Sequence, residues 1–385
     1  MQTMVQQVFA EIDKLNESYY RVWEDFCNIE SPSLFKTGVD TAGDFLMQMA
    51  QERGWQVEYS RQPAAGNVIC ITINPDVSAA PLAVSAHIDT VHPVGSFGTP
   101  PVRRDAENIY GPGVMDCKGG AVAGFLAMDA LARCGYRKRP VQLLLQSEEE
   151  VGSRLSGKAT INWICEKAKD AVAFLNLEPY APGKVCLKRK GIVSYRFTVT
   201  GREAHASMCA TEGANAIADA ACRILELEKF KDPEGITCNC GVISGGTVPN
   251  TVPGECRFDV NFRFACQAQF EQIAEQVTAL AAAEYIPGCT CAVERISMRV
   301  AMELEQRNLD LLEKCNTAFA KHGLPTLEWR SQNGGSDAAD VTTFGIPCID
   351  SLGVSGSHIH SVNEYAALAS LAEAARRISV LACEL

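Results

Sequence analysis

The first half of the chain alternates short unbroken apolar runs with amphipathic stretches. The runs "PLAVSA" (81–86), "PVQLLLQ" (140–146) and "AVAFLNL" (171–177) read as buried strands. Between the first two, "GGAVAGFLAMDALARCG" has the helical period and ends on Gly135, where a C-terminal cap belongs. Strands alternating with helices predict a largely parallel sheet. From Gly191 the period changes. "GIVSYRFTVTG" alternates as a half-exposed strand and "GANAIADAACRILELEKF" as an amphipathic helix. Strand-like "GITCNCGVISGG" and "GECRFDVNFRF" follow, then a helix from about 267 to 284 and a strand in "CTCAVERISMRV". That β-α-β-β-α-β order is the ferredoxin-like arrangement. The α/β pattern then resumes with a helix near 306–322, the turn "NGGSDAAD", a strand in "GIPCIDSLG" and a final helix in "EYAALASLAEAARRISVLA".

The expected architecture is therefore a discontinuous α/β domain, with a mostly parallel sheet and helices on both faces, in two parts (1–189 and 300–385). A smaller α+β domain over 190–299 interrupts it. A length of 385 residues, beyond the usual single-core size, agrees with two domains.

Composition changes this picture little. With 47% hydrophobic and 21% charged residues the chain is of ordinary globular type, and its net charge of −11 argues against nucleic acid as a partner. No apolar run approaches the roughly 20 residues of a membrane span. The start "MQTMVQQVFAEIDKLNESYY" lacks the basic and apolar regions of a secretory signal. Seventeen cysteines are scattered, mostly inside apolar segments, and form no recognisable disulfide framework. A reduced, cytoplasmic protein is expected. The close pairs Cys238/Cys240 and Cys289/Cys291 lack the spacing of zinc knuckles and read as strand positions.

The chemistry lies where the strands end. "LLLQSEEEVGS" passes from a buried run into Glu148, Glu149 and Glu150, three like charges that repel unless solvent or a cation meets them. His87 and Asp89 follow the first strand, Glu178 follows the third, and Asp116 precedes the first helix. His358 and His360 follow the strand in "GIPCIDSLG". In an open parallel sheet, ligands bind beyond the carboxyl ends of the strands, so these imidazoles and carboxylates converge on one edge. Chance does not readily bring five such segments together in a chain with six histidines.

At these residues the chain resembles the di-zinc metallopeptidase family of glutamate carboxypeptidases, aminoacylases, tripeptidases, acetylornithine deacetylases and succinyl-diaminopimelate desuccinylases. The motifs, in family order, are "HIDTV", "YGPGVMDCKGG", "SEEEVGS", "LEP", "GREAHAS", "GGTVPNTVP", "GGSDAAD" and "HSVNEY"; two of them look most like the glutamate carboxypeptidase branch. The resemblance implies two Zn²⁺ ions per chain, with cobalt or manganese as possible substitutes. His87, Asp116 and Glu178 would hold one ion, and Asp116, Glu150 and His360 the other, with Asp116 bridging. Two divalent cations bring +4 against three carboxylates, which relieves the acidic run. By the same resemblance Glu149 is the general base acting on a metal-bridging hydroxide, and Asp89 orients His87. Glu148 is outer-shell or exposed. The interrupting domain becomes a lid and dimerisation domain whose His205 crosses to the partner's site and stabilises the oxyanion. Asn250 and Arg263 would bind the substrate carboxylate, and the backbone of Gly334 and Gly335 would approach the substrate closely.

Other residues are read plainly. The resembled family places its ligand four residues before a Glu, so by that resemblance Glu364-Tyr365 selects His360 over His358; His92 and His322, with no motif around them, are ordinary surface histidines. Cys117, where relatives often carry Asp or Met, reads as small-residue packing, with a metal-sensitive or oxidisable thiol as the alternative. Ser331 occupies the place of a glutamate-carboxypeptidase arginine, with Arg330 one position away, which counts against preference for a terminal glutamate. The expected activity is hydrolysis of an amide bond beside a free carboxylate, in a short peptide or N-acyl amino acid, by a homodimer. The alternatives are a biosynthetic N-acetyl or N-succinyl amino-acid deacylase and a family member without catalysis that serves as a binding protein.

Overall fold

A computed structural model describes residues 2–232 and 235–385. The chain separates into two compact units: Met1–Lys188 with Leu304–Ser331 and Ser336–Leu385, and Arg189–Glu303 with Gln332–Gly335. The short piece Gln332–Gly335 thus belongs with the second unit, although it lies well past residue 299.

The first unit is built on a six-stranded sheet in the order Gln56–Ser60, Val68–Ile73, Val141–Gln146, Leu82–His87, Ala173–Asn176, Cys348–Ile349. The last four strands run parallel and the first two are antiparallel. The central strands bury both faces, as their unbroken apolar runs demand. Val84, Leu143 and Leu145 enter one core with Trp23, Phe26, Phe125 and Leu371, which come from the helices Met4–Asn28, Lys118–Arg133 and Ala369–Glu384. Leu144 and Phe174, on alternate positions, are buried outside that core. Each such side chain contributes about 1.5–3 kcal/mol by leaving water. This packing makes a stiff frame whose four mutually parallel neighbouring strands end at the same edge.

One sequence expectation fails here. The final helix begins at Ala369, and Tyr365–Ala367 form a strand against Asn108–Tyr110. The stretch has the helical period, but ladder pairing with another strand outweighs that local preference.

The second unit has a four-stranded antiparallel sheet in the order Thr237–Gly245, Glu255–Phe264, Gly191–Thr200, Thr290–Arg299. The helices Ala216–Glu228 and Gln267–Ala282 supply its other layer. Phe197 and Phe258 face each other in register with stacked rings 4.7 Å apart. The alternation read in "GIVSYRFTVT" is the burial pattern of that strand.

Candidate metal centre

The strands of the first unit deliver its acidic and imidazole groups by register. His87 is the last residue of its strand and pairs with Gln146, so the turn that starts at Glu149 begins just beyond it. Ser85 pairs with Asn176, the last residue of the neighbouring strand, which puts Glu178 two residues past its end. Gly353 lies against that segment so closely that a Cβ would stand 2.1 Å from the Leu177 carbonyl oxygen. Asp116 ends the turn before the helix Lys118–Arg133, across a cis peptide to Cys117. His360 sits in the loop after Gly356–Ser357 with φ of 60°, in the left-handed region.

Two groups of donor atoms result, each with all atoms within 4.8 Å of one another: His87, Asp116, Cys117 and Glu178, and Asp116, Glu150 and His360. Asp116 belongs to both. One of its oxygens is 3.0 Å from His87 Nε2 and the other 3.3 Å from His360 Nε2. Glu150 lies 3.3 Å from His360 Nε2 and Glu178 3.8 Å from His87 Nε2. His87 Nδ1 is 3.0 Å from the Asp89 carbonyl oxygen and 3.4 Å from its carboxylate. A carbonyl only accepts, so Nδ1 carries a proton; Nε2 faces the Asp116 carboxylate, which also only accepts, so it is protonated too, and its proton is the one a cation would displace. Orientation of His87 therefore comes first from the Asp89 backbone and second from its side chain.

The Asp89 carboxylate has a further set of partners that the sequence did not disclose. It is fully buried, and it accepts from the backbone N–H groups of Glu149 (3.0 Å) and Glu150 (3.1 Å) and from the Ser33 hydroxyl (2.6 Å). It thereby pins the tip of the glutamate run. Glu148 is fully buried too, which corrects the exposed alternative. Its carboxylate accepts from Leu155 N, Ser156 N and the Thr160 hydroxyl, closing the turn ahead of the helix Ala159–Ala168. Of the three glutamates, one thus serves the loop and two face the centre.

Electrostatics match a cation-binding donor set. Burial pushes Glu178 well above the carboxylate range, with Asp116 and Glu149 adding to the effect. Burial likewise raises Glu150 to about 7 against the pull of His360. Burial also opposes charge on Asp116, yet hydrogen bonds with His360 and His87 outweigh it and hold that carboxyl low. Those with Asp116 and Glu150 raise His360 to about 10. The protein alone meets its buried carboxylates with protons on imidazoles. Divalent cations with nitrogen and oxygen preference would replace those protons, and the donors fit them.

His92 is no surface histidine. It is buried, and its Nε2 is 3.1 Å from Glu364. His322 is mostly buried and lies 2.6 Å from Glu384. His358 lies tilted against Tyr365, with ring centres 6.1 Å apart, and joins neither donor group. Cys117 does fall within the first group, and its thiol donates to the Leu177 carbonyl at 2.9 Å.

In the second unit, His205 pairs with Thr251 in a two-residue ladder, and Ala206 N donates to the Asn250 carbonyl, so His205 and Asn250 are neighbours. Arg263 donates to the Asn333 carbonyl at 3.4 Å, and burial and Arg299 lower its pKa. Arg189 donates to the carbonyls of Gly334 and Gly335. A Cβ on Gly335 would stand 2.6 Å from the Arg299 side chain, which would have to shift to admit one. Sequence reasoning missed Arg189 and Arg299, which no motif marks. Their strand positions flank residues already singled out.

The family model for Peptidase family M20/M25/M40 matches residues 83–383. Carboxypeptidase G2 of Pseudomonas sp. (strain RS-16) is 28% identical over 346 residues, covering 88% of this chain and 82% of that protein. Succinyl-diaminopimelate desuccinylase of Nitrosospira multiformis is 25% identical over 368 residues, covering 89% and 91%. The crystal structure of the aminopeptidase PepT from Bacillus cereus superposes with a TM-score of 0.79 at 21% identity, over 96% of this chain and 98% of that one. The chain belongs to peptidase family M20/M25/M40 and is an enzyme of the metallopeptidase and amidohydrolase class.

Proposed function

We propose that this enzyme is a zinc-dependent hydrolase that cleaves an amide or peptide bond beside a free carboxylate, with two ions per chain. The observation that carries the reading is the sharing of Asp116 between two donor groups, one oxygen facing His87 and the other His360. His87, Asp116 and Glu178 would hold one ion, and Asp116, Glu150 and His360 the other. When bound, such cations supply Lewis acidity at the scissile carbonyl and lower the pKa of water towards neutrality. Glu149 takes a proton from the attacking water and returns it to the leaving amine nitrogen. Asp89 keeps Glu149 and Glu150 in place through their backbone N–H groups. His205 donates to the oxygen that gains charge, and Arg263 with Asn250 binds the substrate carboxylate through directed hydrogen bonds. Likeness to a carboxypeptidase supports an exopeptidase or N-acyl-amino-acid hydrolase.

A homodimer accompanies this reading, supported by the outer strand Thr237–Gly245, where Val242 and Ile243 are more than half exposed. A reducing, cytoplasmic setting suits seventeen cysteines none of which is in a disulfide. A biosynthetic N-succinyl or N-acetyl amino-acid deacylase is the second reading, favoured by the likeness to a desuccinylase.

A screen of dipeptides, folate-like conjugates and N-acyl amino acids with zinc-loaded protein, followed by amine release, separates the two. Glu149→Gln abolishes hydrolysis and leaves two zinc ions per chain by elemental analysis. Retained turnover, or fewer than two ions in the wild type, refutes the assignment.

A further inference from the structure

We infer that Glu364 is a positioning residue that sets His360 against Asp116, so that one buried side chain fixes the separation of donors on two distant segments. The inference rests on the two-cation reading above.

Glu364 is 1% exposed, and a carboxylate so placed must have its hydrogen bonds met. Its Oε1 accepts from the backbone N–H of Met115 at 2.9 Å and of Asp116 at 3.1 Å. Its Oε2 is 3.1 Å from His92 Nε2. It therefore grips the main chain of the very residue whose carboxylate both donor groups share. On the other side, Glu364 is four residues from His360, and the intervening chain is stiff. Ser361 N donates to the His358 carbonyl at 3.2 Å, and Glu364 N to the Ser361 carbonyl at 3.0 Å. Two successive turns thus transmit the position of Glu364 to His360. Gly111 N donates to the Glu364 carbonyl, which adds a second tie between the same segments. His92 completes the clamp from the loop beyond the strand Leu82–His87, with its ring edge-on to Phe97 at 4.9 Å.

The adjoining backbone has ties of its own beside this carboxylate. Directly after it, Tyr365–Ala367 pair with Asn108–Tyr110, anchoring both segments through backbone bonds. Loss of the side chain should therefore free the donors to drift while the sheet stays formed. Groups that hold ligands from outside the donor set commonly change metal affinity by about 10–100-fold.

The test is a zinc titration of metal-free wild type, Glu364→Ala, Glu364→Gln and Glu364→Asp, by competition with a chromophoric chelator. Far-UV circular dichroism monitors folding, and the visible absorption of Co²⁺-substituted protein reports donor geometry. The wild-type curve alone tests the two-cation reading: binding of no ions would sink that reading whatever the variants do. With two ions bound by the wild type, Glu364→Ala should bind zinc about 10–100-fold more weakly, with an altered Co²⁺ spectrum and unchanged circular dichroism. Glu364→Gln keeps an oxygen for both N–H groups and should stay within about threefold. Wild-type affinity in the alanine variant, or equal weakness in the glutamine variant, overturns the inference. Should the alanine variant not fold, Glu364→Asp decides. It keeps the charge but cannot reach both N–H groups, so a loss of about tenfold or more supports the clamp and a smaller one overturns it.

Discussion

Asp89→Asn is the most informative single change to the centre. The wild-type carboxylate serves Glu149 N with one oxygen, and Glu150 N and the Ser33 hydroxyl with the other. Asparagine keeps one oxygen and replaces the other with an NH₂ group. The Ser33 hydroxyl can turn and accept, so the cheaper orientation sets the NH₂ on its side. Glu150 N then points at a donor. One buried, unserved N–H costs about 1–3 kcal/mol, and weakening the remaining bonds from charged to neutral acceptor costs about another 1 kcal/mol. The sum of about 2–4 kcal/mol corresponds to about 30- to 1,000-fold in the population of the correctly placed tip. The assay is steady-state hydrolysis at saturating zinc, alongside a zinc titration. A kcat about 30-fold lower or worse is expected, with a smaller change in KM, because the tip carries the residue proposed to transfer the proton and not those proposed to bind the substrate carboxylate. A kcat and zinc affinity both within threefold of wild type would show that Asp89 does not hold the tip.

Cation binding should strengthen with rising pH, because Glu150, raised to about 7, and His360, raised to about 10, must give up their protons. In the metal-free fold, His360 stabilises below its ordinary 6.5 and ceases to as pH passes 10, while Glu150 costs stability as pH rises from 4.5 through 7. Both effects run the same way, so the melting-temperature gap between zinc-loaded and chelator-treated protein should widen from pH 6 to pH 9; a narrowing gap contradicts the assignment. Gly353→Ala forces the Leu177–Glu178 backbone aside and should cost about 1–3 kcal/mol in denaturant melts. An unchanged midpoint would show that the segment yields freely. Arg263→Ala should raise KM about tenfold or more with kcat less affected, and Arg263→Lys should recover only part, since lysine lacks the planar fork. Equal loss of kcat and kcat/KM would place Arg263 in transition-state stabilisation instead.

What could be read beforehand followed from burial. Strands covered on both faces have no polar residues until they end, so the first imidazole or carboxylate after "PLAVSA" or "VQLLLQ" marks the sheet edge. That logic brought out His87, Glu149, Glu150 and Glu178, which the strand register carries to one rim. It could not sort polar residues whose partners are remote in sequence. His92 meets Glu364 across 272 positions and Ser33 meets Asp89 across 56, and neither pair has a local signature. Glu148 was hidden by its neighbours, because a run of like charges does not say which member turns towards the loop. Gly334 and Gly335 stood inside an α/β stretch, yet they pack with the second unit through Arg189 and Arg299.

The first 35 residues contain none of the donors, and the family match begins only at residue 83. Even so, they brace the centre from behind. Trp23 donates to the Val114 carbonyl, the buried Lys118 ammonium donates to the carbonyls of Phe26 and Ile29, and Ser33 reaches Asp89. A chain trimmed to begin at residue 36, past this leading helix, would retain every proposed coordinating group and lose this bracing. For the same reason, a bulky fusion pressed against that helix would act on the reaction from the far side of the molecule's wall.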